Sequence, residues 1–182
     1  MVNEGPPYAT LFVMVGLPAS GKTTRAKEIE QERGALRLTP DEWMIPLFND
    51  NDADGRRNVL EGRLIWVAFR AVRQGVDVVL DFGVWSKVER TCLRALAGDA
   101  GASFELVYLE IDDDEQRRRR DRRVADTPAT TFLITDEELV AYRRRFEPPD
   151  HRELTGGALD PPPDGYSSWS SWASDWWPTS IQ

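Results

Sequence analysis

The stretch TLFVMVGLPASGKTT, Thr10–Thr24, decides the fold. Thr10–Val15 is a short β-branched and apolar run, the pattern of a strand buried on both faces. Gly16–Thr23 then matches G-x-x-x-x-G-K-[ST] in full. From Lys22 to about Arg33 the residues are good helix formers, closed by Gly34. Strand, glycine loop and helix in that order make a phosphate cradle. The glycines let the backbone curl so that successive N–H groups face phosphate oxygens, and the helix behind adds its positive end. Gly16, Pro18, Ala19, Ser20, Gly21, Lys22, Thr23 and Thr24 are therefore the candidate nucleotide-binding set. Lys22 has the reach for β- and γ-phosphates, and the Thr23 hydroxyl is a ligand for Mg²⁺.

Strands and helices alternate beyond this loop. Ala35–Leu38 reads as a second strand, and Thr39-Pro40-Asp41 as a fresh helix start. Between about Asp54 and Gln74, Leu60, Leu64, Val67, Ala68 and Ala71 recur at helical spacing until Gly75. Val76–Phe82 is the clearest strand. Ser86–Glu89 has the capping-box pattern, opening a helix to about Ala97 before Gly98. Phe104–Ile111 is another strand, after which Asp112–Asp114 supply capping and first-turn acids for an arginine-rich helix. Thr135–Glu138 is a second capping box, with a helix to about Phe146. This alternation predicts right-handed crossovers and an α/β fold, a three-layer α/β/α arrangement around a parallel sheet of 4–5 strands. Residues 1–149 read as one domain. Residues 147–165, with Pro148-Pro149, Gly156-Gly157 and Pro161–Pro163, read as an irregular connection. Trp169, Trp172, Trp176 and Trp177 then form an apolar stripe if helical. Left in water they would favour association. The segment 150–182 is therefore expected to dock on its own domain, with a second copy or a partner as the alternatives.

Three further features bear on chemistry. Asp81 ends the apolar run Val78–Leu80, at the C-terminal edge of the sheet where ligands of open α/β folds collect. It is the candidate metal-holding carboxylate beside Thr23; a cap for the following turn is the plainer reading. Asp41 follows the second strand and so shares that rim. A carboxylate there can take the proton of an attacking hydroxyl, while its placement after Pro40 equally suits a first-turn acid stabilising the helix. Six of the seven residues Arg117–Arg123 are arginine. On a helix Arg119 and Arg123 share one face, and Arg118 and Arg122 another. Arginines from such a segment can stabilise charge on a transferring phosphoryl group, although at least half are expected to pair with Asp112–Glu115 and Asp121 on a solvated face. The acceptor pocket is expected from residues 43–57 and 83–86. Trp43 and Trp85 are more in keeping with partial core.

Composition narrows the classes. The chain has 182 residues, 41% of them apolar, enough for one domain with a real core. No apolar run approaches the roughly 20 residues of a membrane-spanning helix, and Met1–Tyr8, with Pro6-Pro7, does not read as a signal peptide. A single cysteine, Cys92, forms no internal disulfide, which points to a reducing compartment, the cytoplasm. Cys92 is expected to be half-buried on a helix. With one histidine, His151, neither a zinc site nor a Cys–His pair is expected. The net charge of −8 argues against a nucleic-acid partner.

Taken together, GLPASGKTT (Gly16–Thr24), the Asp of TPDEW (Thr39–Trp43), VVLDFGVWSKVER (Val78–Arg90), the arginine-rich segment and FEPP (Phe146–Pro149) resemble small bacterial P-loop kinases of the AAA_33 type, related to chloramphenicol phosphotransferase and the zeta-toxin kinases. The resemblance covers about residues 10–149. It implies a P-loop kinase core using ATP and Mg²⁺, with Asp41 as base toward a substrate hydroxyl. It also implies the roles above for Lys22, Thr23 and Asp81, and a lid helix supplying Arg119 and Arg123. Relatives often add a fifth strand near the C-terminus, which this sequence does not show. The expected activity is phosphoryl transfer to a hydroxylated small molecule. The alternative is a regulatory ATPase with the Trp-rich segment as its interaction element.

Overall fold

A computed structural model describes residues 8–50, 53–126 and 134–181. The opening residues 1–7 and two positions of the expected acceptor stretch, 51 and 52, lie outside the described residues. The sheet has four parallel strands in the order β2-β3-β1-β4: β1 (Thr10–Val15), β2 (Leu36–Leu38), β3 (Val78–Leu80) and β4 (Ser103–Tyr108). β1 lies between β3 and β4, in register Leu11 with Val78 and Leu11 with Phe104. Successive side chains of a strand leave on opposite faces. Leu11, Val13 and Val15 accordingly join the larger core, and Phe12 and Met14 the smaller one. Both faces are covered, which is why β1 carries no polar residue after Thr10.

The smaller core sits under α1 (Lys22–Arg33), through Ala26 and Ile29. α1 ends at Gly34, whose φ of 63° is the left-handed cap conformation glycine adopts without a steric penalty. The larger core lies under α3 (Arg56–Arg73) and α4 (Lys87–Asp99), with Leu64, Ile65, Phe69, Leu93 and Leu96 among its buried side chains. Each such side chain removed from water stabilises the fold by about 1.5–3 kcal/mol. α2 (Asp41–Phe48) precedes α3; α5 (Asp113–Asp126) and α6 (Asp136–Arg145) follow β4. Both capping boxes form, at Ser86 with Glu89 and at Thr135 with Glu138.

The structure shortens the expected strands to Val78–Leu80 and Ser103–Tyr108, because pairing with β2 and β1 spans only those residues. Gly98 does not stop α4, which runs through it to Asp99. No fifth strand is present among the described residues. The connection after Phe146 is partly ordered as α7 (His151–Leu154), capped by Asp150. It is anchored by Arg90 of α4, a buried guanidinium that donates to Glu153 at 2.8 and 2.9 Å and to the carbonyls of Trp85 and Glu147 at 3.0 and 2.9 Å.

The tryptophan stripe becomes α8 (Trp169–Trp176), which packs on α4 with Trp172 and Ala173 buried. Trp172 stacks on Trp176 and meets Trp169 and Trp177 edge-on. Residues 177–180 then cross α3. The Arg63 guanidinium donates to the Thr179 carbonyl at 3.3 Å, and the Thr179 hydroxyl to the Val59 carbonyl at 3.2 Å. Gly62 makes that crossing possible, since a Cβ there would run into the Pro178 carbonyl. No helix among the described residues is long and apolar enough to cross a membrane.

Candidate active site

β1 delivers the chain to its C-terminal edge, and the loop from Gly16 to Gly21 turns it into α1. Gly16 has φ 152°, and a Cβ on it would lie 2.6 Å from both the Leu109 carbonyl oxygen and Ser20 Oγ. Only glycine fits this close approach. Ala19, at φ 64°, takes a left-handed turn that non-glycine residues seldom adopt. Lys22 folds its ammonium over the loop, donating to the carbonyls of Gly16 at 3.0 Å and Leu17 at 2.9 Å. Burial lowers its pKa to about 8; Asp81 and Asp41 oppose the shift and Arg123 adds to it. Asp81, Asp41 and Arg123 thus lie within electrostatic reach of Lys22. Ser20 Oγ is buried with no hydrogen-bond partner among the described residues.

Asp81 follows β3 and is fixed from three sides. Its N–H donates to the Leu38 carbonyl at 2.9 Å, one carboxylate oxygen accepts from Arg37 at 2.9 Å, and the other from the Thr23 hydroxyl at 3.4 Å. Its side chain is 1% exposed. Burial raises its pKa, against the pull of Arg37 and Lys22. A glycine cradle, an unpartnered serine hydroxyl, a buried ammonium and a hydroxyl–carboxylate pair are the donor set that suits a phosphate chain with a hard divalent cation.

Asp41 has the opposite setting. It opens α2 with its side chain 69% exposed and pairs with Arg57 of α3 at 3.0 Å. Arg57 also holds Glu61 at 3.0 Å, one turn along the same helix. Burial raises the Glu61 carboxyl to about 7; Glu89 and Asp41 add to that shift and Arg57 opposes it. Glu89 in turn accepts from the Trp176 indole at 3.0 Å.

On α5, Arg119 donates to the Ser20 carbonyl at 3.3 Å and to Glu115 at 2.6 Å. Arg117, Arg118 and Arg120 pair with Asp114, Glu115 and Asp121 along the helix surface. Trp43 is exposed rather than part of the core, and Trp85 is half-buried, edge-on to Tyr142 at 5.2 Å. Cys92 is fully buried, not half-buried, and burial pushes its thiol up to about 12. His151 is exposed at the start of α7.

Sequence reasoning missed four groups. Arg37 and Arg57 hold the two carboxylates, and Gln116 contacts the loop at the Pro18 carbonyl while Arg143 holds Gln116. A cation inside the apolar strand Leu36–Leu38 was a signal for the first, and the Arg57–Glu61 spacing of four for the second. Gln116 gave none, standing within a run of charges.

Strand order, loop and the Asp81–Thr23 pair together define the fold of the P-loop kinases. The chain belongs to the AAA_33 family, an AAA domain, which matches residues 11–149. No curated protein sequence matches it. Among solved structures it is similar to the Pnkp1/Rnl/Hen1 RNA repair complex, with TM-score 0.65 and 16% identity over 85% of this chain. The chain spans only 46% of that matched chain. It is also similar to Kti12 of Chaetomium thermophilum in complex with ADP-AlF3, with TM-score 0.62 and 19% identity over 91% of this chain and 95% of that one. A third is the APS kinase CysC of Mycobacterium tuberculosis in complex with AMPPNP and APS, with TM-score 0.58 and 21% identity over 93% of this chain and 96% of that one.

Proposed function

We propose that the chain is an ATP- and Mg²⁺-dependent kinase that transfers the γ-phosphoryl group to a hydroxyl of a small molecule, with Asp41 as general base. The observation that carries this reading is the contrast between two carboxylates on one rim. Asp81 is buried against Thr23 and Arg37, whereas Asp41 is open to solvent within electrostatic reach of Lys22. Environments that differ this much suit different tasks.

In this reading the loop N–H groups and Lys22 hold the β- and γ-phosphates, and Thr23 and Asp81 hold the metal. A Mg²⁺ ion held by Thr23 and Asp81 would supply positive charge to offset that of the phosphates. Asp41 accepts the proton of the acceptor hydroxyl as its oxygen forms the bond to the γ-phosphorus. The bond from that phosphorus to the bridging oxygen breaks, and ADP leaves. Arg119 and Arg123 counter the charge on the phosphoryl oxygens. The neighbour solved as an APS kinase supports a hydroxylated small-molecule acceptor.

The test is transfer of γ-labelled phosphate from Mg-ATP into pooled hydroxylated metabolites, with a 5′-hydroxyl oligonucleotide as a separate arm. We expect a labelled small product from the wild type, and a rate about 10²–10⁴-fold lower for Asp41→Asn at unchanged Mg-ADP affinity. Label released only as inorganic phosphate, equally by both proteins, would replace the kinase by a regulatory ATPase with the Trp-rich segment as its interaction element. Label in the oligonucleotide alone would move the acceptor to nucleic acid.

A further inference from the structure

α5 and α6 reach the back of the phosphate loop through a side chain that the signature does not include. Gln116 is 1% exposed. Its Nε2 donates to the Pro18 carbonyl at 2.9 Å, and its Oε1 accepts from Arg143 Nη2 at 2.7 Å. Arg143 is fixed in turn by the Ile111 carbonyl at 3.3 Å and by Asp113 at 2.8 Å. Both ends of the amide are therefore committed, and its orientation is set by α6 rather than left to rotate.

The consequence for the loop follows from peptide geometry. A trans peptide points its C=O and its N–H in opposite directions. Tying the Pro18 carbonyl back to Gln116 turns the Ala19 N–H to the side away from α5. Ala19 sits at φ 64°, so this peptide takes its orientation at some backbone cost and needs an outside hold.

We propose that Gln116, clamped by Arg143, is a positioning residue for nucleotide binding: it holds the Pro18–Ala19 peptide with its N–H turned away from α5, toward the phosphate side of the loop. The inference rests on the reading of this loop as a nucleotide site. Phosphate affinity then depends on a glutamine–arginine pair of α5 and α6 as well as on the loop itself.

The test is calorimetric titration of Mg-ADP into wild type, Gln116→Glu and Gln116→Met, with thermal melting of each. Glutamate keeps the size and the bond to Arg143 but offers the Pro18 carbonyl no donor when ionised. We expect about tenfold weaker Mg-ADP binding, the value of one hydrogen bond, for both variants, with Gln116→Glu melting close to the wild type. The Ala19 amide resonance should shift on adding Mg-ADP to the wild type and lose most of that shift in Gln116→Glu. Equal affinity and equal Ala19 shifts in wild type and Gln116→Glu would overturn the proposal. Should Gln116→Glu fail to fold, Arg143→Lys serves. It frees the amide without touching the loop, and unchanged affinity there would be equally fatal. A wild type that binds no Mg-ADP would instead remove the nucleotide reading, and this inference with it.

Discussion

Lys22 shows how one buried charge sets the working range of the site. Its ammonium has a pKa of about 8 because burial outweighs the nearby Asp81 and Asp41. Below about pH 8 the charge that the proposed site offers to phosphate is already present. Above it, binding must draw a proton from solution, since phosphates favour the ammonium. We expect Mg-ADP affinity to be flat from pH 6.5 to 7.5 and to fall toward tenfold per pH unit above about 8. Proton uptake should appear in calorimetry at pH 9 in buffers of different ionisation enthalpy. Lys22→Arg should remove the slope, and an unchanged slope in that variant would assign the titration elsewhere. At this scale the loop was legible because Gly16–Thr23 are consecutive and their roles depend on backbone geometry. Asp81 was placed because an apolar strand ends just before it, and Asp41 because it lies three residues past the second strand, after Pro40. Arg37, Arg57 and Gln116 were not, because each takes its meaning from a partner on another element. Exposure separated the two carboxylates, and the sequence does not show which of these acids is buried.

Among the elements, α4 ties the C-terminal segment to the domain. Its Arg90 holds residues 147–153 through the Glu153 carboxylate and the Glu147 carbonyl, and its Glu89 meets both the turn at Ser86 and the Trp176 indole. A buried guanidinium with every partner satisfied is costly to disturb from one side. We expect Arg90→Met to lower stability by about 3–5 kcal/mol, read as a fall in the urea midpoint at unchanged slope. Combining it with Glu153→Leu should recover part of the loss. A neutral single variant would mean that α7 contributes nothing to the fold. The helices were legible where capping residues and apolar spacing agreed, as at Ser86 and Thr135. Strand ends were less so, since the length of β3 is fixed by the three residues of β2 that pair with it.

Over the whole molecule, the segment after residue 165 closes the larger core by packing α8 on α4 and residues 177–180 on α3. Gly62 is the point of closest approach. In an exposed helix interior alanine would be the better residue by about 1 kcal/mol, but here its methyl has no room beside the Pro178 carbonyl. We expect Gly62→Ala to melt earlier and its tryptophan emission to shift red, with Trp177 becoming accessible to acrylamide. A variant that is more stable, with unchanged emission, would show that residues 177–180 do not need this contact. The tryptophan spacing announced an apolar stripe, yet the surface receiving it was hidden, because α3 and α4 read as ordinary amphipathic helices. The crossing also joins parts of the chain made far apart in time. Arg63 and Thr179 are separated by 116 residues. At synthesis rates of about 5–20 residues per second, α3 waits roughly 6–23 s for its cover. During translation that face of α3 stands open to chaperones until residues 177–180 arrive to cover it.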